Sequence, residues 1–212
     1  MKTKIISVFL LFLALNSFSQ GYQVLTSAQQ KDVLNQISQA SAKINTLECK
    51  FTQKKSISVL SETVVSQGMM YFKKDNHLRW QYNSPYQYLF ILSAGKVMIK
   101  SENKTEKYDT DKNKIFKEIS EIMLGGVSGK MLVDDKKFKA EFSGNSSSIK
   151  VVLFPKNKDL QKLMKSITLT FSKKDWTVNS IEMLEKGGDS SLITFTEKNV
   201  NKAVSDDLFR IN

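Results

Sequence analysis

YFKKDNHLRWQYNSP, running from Tyr71 to Pro85, sets three basic side chains among aromatic and aliphatic ones and closes on a turn proline. After the polar KDNH turn the residues alternate, so Leu78, Trp80 and Tyr82 share one face of a strand while Arg79, Gln81 and Asn83 share the other. Lys74 falls in the turn itself. A greasy wall beside cations suits a ligand with an apolar body and a guarded exit. It equally describes a solvated hairpin tip next to ordinary core residues.

Outward from this stretch the chain keeps the same texture. LECKFTQKKSI, TVVSQGMMYFKK, YQYLFILS, KVMIKSE and KTEKYDT are short β patterns parted by polar turns, which reads as an antiparallel meander. KFKAEFS, SIKVVLFP, SITLTFS, TVNSIEMLE and SLITFTE continue it toward the C-terminus, with KNKDLQKLMK between them as a helical turn or a strand edge. Two segments break the pattern. From Ser27 to about Asn45, Val33, Leu34, Ile37, Ala40 and Ile44 recur at helical spacing behind a serine cap. In DKNKIFKEISEIMLGGVSGKML, Ile115, Phe116, Ile119, Ile122 and Met123 mark a second helix, with Gly125 and Gly126 expected to stop it. The apolar stripe of that helix must be covered. The fold class is mainly β (α+β): about eleven strands in one long, strongly curved antiparallel sheet, with two helices.

The first twenty residues stand apart. Lys2 and Lys4 precede an apolar run from Ile5 to Leu15 and then small residues, the form of a secretory signal peptide cut after Ser19 or Gln20. The run is too short to span a bilayer core of about 30 Å. Residues 1–20 are therefore a leader, and 21–212 a single exported domain. Removing the leader and its two lysines leaves 192 residues with 30 basic and 21 acidic side chains, a net charge of +9. In an exported protein that charge points to anionic membrane surfaces or acidic proteins, with no nucleic acid expected. Cys49 is the only cysteine, so no intrachain disulfide forms and the thiol reads as a small buried apolar group.

The residues for catalysis are scarce. His77 is the only histidine, so a several-imidazole zinc site or a serine triad would have to be built around one residue on a turn. GGVSGK follows a helix and lacks phosphate-loop spacing. The expectation is a protein that is not an enzyme and uses no cofactor and no metal. A base-stacking sheet has the right residue types but the wrong compartment.

The order FTQKK, QGMMYFKKDNHLRWQYNSP, then SAGKVMIKSENKTEKYD resembles the periplasmic lipoprotein carriers of the LolA type. The matching features are Phe51 to Gln53, a glycine-bearing strand at Gln67 and Gly68, Leu78 to Trp80, and Pro85. Ala94-Gly95 stands where that family usually has Asp-Gly. SDDLFRI resembles the family's closing strand, with Phe209 in its aromatic position. The resemblance implies an incomplete barrel with a helical lid over a cavity for lipoprotein acyl chains. It implies a monomeric periplasmic shuttle that is loaded by an inner-membrane release complex and unloaded by an outer-membrane acceptor.

For the cavity wall it implies Phe51, Met70, Phe72, Leu78, Trp80, Tyr82, Leu89 and Ile91. For the inner stripe of the lid it implies Phe116, Ile119, Ile122 and Met123. The family's gating arginine corresponds in position to Lys74, with Arg79 close enough to share the task; lysine lacks the planar fork of arginine. Burial of a chain of roughly 16 carbons is worth on the order of 12 kcal/mol gross. Such a carrier also needs an adaptable pocket in order to let go. Methionines, Met70 and Met123 foremost, suit it. Two other readings stay open. The same half-barrel resembles the lipid-sensing domain of anti-sigma-factor regulators, and a carrier of this kind could hold another lipid, such as a glycolipid.

Overall fold

The longest hairpin organises the molecule. In the computed structural model, which describes residues 21–60, 62–132 and 135–211, β2 (Thr46–Ile57) and β3 (Glu62–Lys73) pair in unbroken antiparallel register from Thr46↔Lys73 to Ile57↔Glu62. β4 (His77–Ser84), β5 (Tyr88–Ser93), β6 (Lys96–Lys100) and β7 (Thr105–Asp109) follow as neighbours in turn. The KDNH turn takes its tight form because Asp75 and Asn76 accept the left-handed backbone, at φ 70° and 66°. β8 (Phe138–Gly144), β9 (Ser148–Pro155), β10 (Met164–Ser172), β11 (Val178–Glu185) and β12 (Ser190–Val200) form a second meander. β12 then returns to pair with β2.

One twelve-stranded sheet results, in the order β1-β8-β9-β10-β11-β12-β2-β3-β4-β5-β6-β7. Eleven of these strands are the ones the sequence pattern marks. The twelfth, β1 (Gln23–Val24), is a two-residue pairing with β8. The sheet is not closed: β1 and β7 are its edges. Residues 1–20, including the expected leader, lie outside the described residues.

Helices cover the concave side. α1 (Ser27–Ala42) starts from Thr26, whose Oγ1 accepts the Gln29 N–H while Gln29 Oε1 accepts the Thr26 N–H. This reciprocal cap uses the residue before the expected serine. Val33 and Ile37 of α1 pack on Val151, Leu153, Ile167 and Leu169, all with no exposed surface, to make the first core. α2 (Lys114–Ser128) begins at the Asn113 cap and packs over β2–β5 and β11–β12, the second core. It runs through Gly125 and Gly126 and ends at Gly129, which sits in the left-handed region at φ 69°. The two glycines do not stop the helix. They let it lie close, since a Cβ on Gly125 would come within 3.1 Å of Met131. KNKDLQKLMK holds a short helix, α3 (Lys158–Leu163), that leads into β10.

The C-terminus departs from expectation. SDDLFRI is not a closing strand: Asp206–Phe209 forms a single 3₁₀ turn laid over the convex face of β4 and β5. Phe209 is buried there, 5.6 Å from the His77 ring, and Lys73 pairs with Asp206. His77 is consequently a half-buried strand residue bonded to Ser93 Oγ, and not a solvated turn histidine.

Gly68 carries the tightest constraint on side-chain size. A Cβ there would lie 1.9 Å from the Gln81 carbonyl and 2.6 Å from the Phe51 ring, at the point where the β3–β4 register shifts. Gly68→Ala is expected to cost on the order of 3 kcal/mol, read as a lowered denaturant midpoint. A loss below about 0.5 kcal/mol, the range of an ordinary surface change, would refute the close approach.

Candidate functional site

Between α2 and the concave sheet lies a cavity of about 310 Å³, at the small end of the range for ligand pockets, about 300–1,000 Å³. Strand alternation builds it. From β2 come Leu47, Cys49 and Gln53, from β3 Met70, and from β4 Leu78, Trp80 and Tyr82. β5 supplies Tyr88 and Phe90. β11 adds Val178, Ile181 and Met183, and β12 adds Ile193 and Phe195. The roof is Ile119, Ile122, Met123, Gly126 and Val127 of α2.

An aromatic group stiffens the sheet side. The Phe51 ring rests over Gly68, its centroid 4.5 Å from Trp80 and 5.0 Å from Tyr82, and Phe195 meets Trp80 edge-on at 5.9 Å. Offset and edge contacts of this kind hold rings in place. The Tyr82 hydroxyl donates to Gln53 Oε1 at 2.5 Å, and burial pushes its phenol up, so it stays a neutral donor. The neighbouring Trp80 Nε1–H is sealed from solvent and closes no well-aligned hydrogen bond.

One cation enters the wall through a backbone irregularity. Simple alternation on β12 would send Lys198 outward, but Glu197 takes a left-handed conformation, φ 50°, where the register with β2 breaks between Thr196 and Asn199. The bulge turns Lys198 toward the cavity. Its ammonium donates to Thr177 Oγ1 at 2.6 Å, Asn179 Oδ1 at 2.7 Å and the Val178 carbonyl at 3.4 Å, with Asp175 at 3.8 Å.

A second, open groove of about 780 Å³ lies on the other side of Ile44 and Ile122, which face both spaces. Lys74, Asp75 and Asn76 of the β3–β4 turn and Glu118 and Glu121 of α2 share its lining with apolar Phe72, Leu124, Met131 and Phe138. Lys137 ties down both glutamates.

Met70, Leu78, Trp80, Tyr82, Ile119, Ile122 and Met123 therefore meet in the cavity. Phe51 lies behind its aromatic wall, Phe72 lines the open groove, and Phe116 is half-buried against Tyr108, their ring centroids 4.1 Å apart. Leu89 and Ile91 do not belong to the wall. Trp80 pairs with Phe90, so the inward members of β5 are Tyr88, Phe90 and Leu92, while Ile91 pairs with Arg79 and Met98 on the convex face. LFIL is apolar throughout because the C-terminal turn buries the convex side as well, which hides the alternation. Arg79 likewise faces away from the lid, donating from Nη1 to the Leu208 carbonyl and from Nε and Nη2 to Gln81. Lys74 sits on the groove rim, its backbone N–H bonded to the Asn45 carbonyl. The residues that sequence reasoning missed are chiefly those of β11 and β12. The alternation of Ile193 and Phe195 with Thr194 and Thr196 was the available signal.

Cys49 reports on the wall. Burial pushes its thiol up to about 12, with Lys198 pulling the other way. At pH 8 the thiolate share is then on the order of one in ten thousand. Iodoacetamide is expected to modify Cys49 in denaturant and to leave it untouched in the native protein. Equal rates in the two states would mean that the wall is not closed.

A sequence model of the family described as outer membrane lipoprotein carrier protein LolA matches residues 42–212. No curated protein sequence matches. Among solved structures, the fold is similar to an uncharacterized conserved protein from Thermus thermophilus, at 11% identity and TM-score 0.53, covering 88% of this chain and 95% of that one. It is similar at TM-score 0.47 and 7% identity to a LolA superfamily protein from Nitrosomonas europaea, over 86% of this chain and 97% of that one. The Pseudomonas aeruginosa MucA/MucB complex matches at TM-score 0.49 and 12% identity, over 87% of this chain but only 61% of that one. The family match spans well over half of the sequence, on an open antiparallel barrel lidded by a helix, and the chain belongs to the LolA family of outer membrane lipoprotein carrier proteins.

Proposed function

We propose that this lipid-binding member of the LolA superfamily is a periplasmic carrier, which shields a lipoprotein acyl chain from water between the inner and outer membranes. The observation that carries the reading is the apolar cavity under α2, with its aromatic wall and four methionines, Met70, Met123, Met164 and Met183. Soft methionine side chains let such a wall adapt to cargo and release it. LolA-family proteins are periplasmic, and among the described residues no helix is long and apolar enough to cross a membrane. The reading assigns the protein no catalytic step and no cofactor. Its partners are a release complex at the inner membrane and an acceptor at the outer one.

Carriage requires the lid to yield. α2 is held on its outer side by Lys137 with Glu118 and Glu121 and by Lys114 with Asp159, and its inner face packs by apolar contact. A hydrocarbon chain competes with that contact, so the closed lid and the cargo exchange for one another. In this reading Lys74, which lines the open groove together with Glu118 and Glu121, biases the exchange.

Native mass spectrometry of the protein taken from its periplasm without detergent, with extraction of whatever is bound, tests the proposal. A stoichiometric acylated peptide or lipoprotein is expected. A free glycolipid would keep the cavity and change the cargo, and an empty protein that co-purifies with a regulatory partner would overturn carriage. The two tryptophans allow a direct probe: with Trp176→Phe, a brominated acyl chain is expected to quench Trp80 emission. Unaltered emission at saturating probe would place the chain elsewhere. Lys74→Leu is expected to change the transfer rate while moving stability by no more than about 0.5 kcal/mol. An unchanged rate would remove Lys74 from the gate.

A further inference from the structure

One end of the half-barrel collects apolar side chains that the fold leaves outside. At the tip of the β2–β3 hairpin, Val59 and Leu60 are 88% and 64% exposed. The tip is fastened to the β11–β12 turn, since the Ser58 N–H and Oγ both donate to Asp189 Oδ1, at 2.9 and 3.0 Å. The Lys186 N–H in turn donates to the Leu163 carbonyl, which brings the end of α3 beside that turn. On the adjoining convex face, register sets Leu192 and Val65 on either side of Lys54, and Leu184 one step further along β11. Val59, Leu60, Val65, Leu163, Leu184 and Leu192 thus form an exposed band around one end of the molecule. Such a band is larger than the isolated apolar residues that a surface normally carries.

The charges at this end are lopsided. Its carboxylates Asp159 and Glu185 pair with Lys114 and Lys55, while Asp189 accepts from Ser58 and keeps its charge. Exposed Lys54, Lys158, Lys165 and Lys186 have no ion pair among the described residues, against Glu62, Glu182 and Asp189, and Lys162 shares Asp159 with Lys114, so this end carries a net excess of two cations. The band also abuts the cavity. Leu163 precedes the wall residue Met164, and Gln53, which lines the cavity, lies on β2 shortly before the hairpin turn.

We propose that this end docks on an anionic bilayer surface, with Val59 and Leu60 entering the acyl region and the surrounding lysines meeting lipid phosphates. A projecting tip on a convex band offers no cleft for a shaped partner. A fluid bilayer needs no shape complementarity, and it rewards apolar insertion ringed by cations. Docking here would bring the cavity end against the membrane, so a chain could pass between them without crossing bulk water. That use rests on the carrier reading, whereas the surface itself does not.

The test is cosedimentation of the purified protein with vesicles of equal parts phosphatidylcholine and phosphatidylglycerol, and with phosphatidylcholine alone. Preference for the anionic vesicles is expected, weakened when ionic strength rises from about 0.1 M to about 1 M. It should fall about tenfold in the V59D/L60D variant, with circular dichroism and acyl loading by native mass spectrometry unchanged. If that variant fails to fold, Lys54→Glu with Lys186→Glu, at exposed strand and turn positions, is expected to lower the anionic preference by a similar factor. Equal binding to both vesicles, binding to neither, or binding that the folded variants leave intact overturns the proposal; binding to neither would point to a protein acceptor. Loaded protein that ignores vesicles refutes the docking alone, while empty protein that binds them refutes carriage alone.

Discussion

The ladder between β2 and β12 holds the two halves of the protein together. Nine residue pairs, from Ser190↔Ser56 to Val200↔Leu47, join the last strand to the first long one across some 140 residues of sequence. Without it the chain would be two meanders, each with an apolar face open to water. With it, Ile193, Phe195 and Lys198 stand beside Cys49 and Gln53 in one wall, and the cavity lies across the seam. The single break in the ladder, at Glu197, is also what turns the one lysine of the wall inward.

The rest follows from a sheet that curves without closing. A concave apolar surface bounded by two free edges needs a cover, and α2 supplies it with an apolar stripe of the right length. The cover is imperfect. The Phe51 ring occupies the space over Gly68 and is fixed by Trp80 and Tyr82, so the aromatic side cannot collapse onto the helix. Space between a rigid wall and a helix held by apolar contact and outward-facing ion pairs is what a reversible lipid site requires. α1 and β8–β10 behave differently: there Val151, Leu153, Ile167 and Leu169 are completely buried with Val33 and Ile37, and that half serves as the scaffold.

The fold was largely legible. Strand patterns from Leu47 to Glu197 gave eleven strands because each short run alternates between polar turns, and both long helices announced themselves by spacing. Local errors had local causes. Thr26 caps one residue earlier than Ser27 because it has Gln29 at the reciprocal position, and Gly125 and Gly126 serve close packing where a stop was expected. Where alternation was clean, as at Leu78, Trp80 and Tyr82, the shared strand face was legible in the sequence, and these residues line the cavity. Where an apolar run hid the parity, as in LFIL, Leu89 and Ile91 were assigned to the wrong face.

The sequence by itself determined which segments become strands and helices and the face of each cleanly alternating strand, since these rest on neighbours within a few residues, and it determined the family through the order of motifs along the chain. Tertiary structure decided the rest. The partner of β12, the inward turn of Lys198, the burial of Ile91 and Phe209 by the C-terminal turn, and the separation of cavity from groove by Ile44 and Ile122 depend on contacts between distant segments. No local pattern encodes them, because the free energy that selects them appears only when both surfaces are buried together.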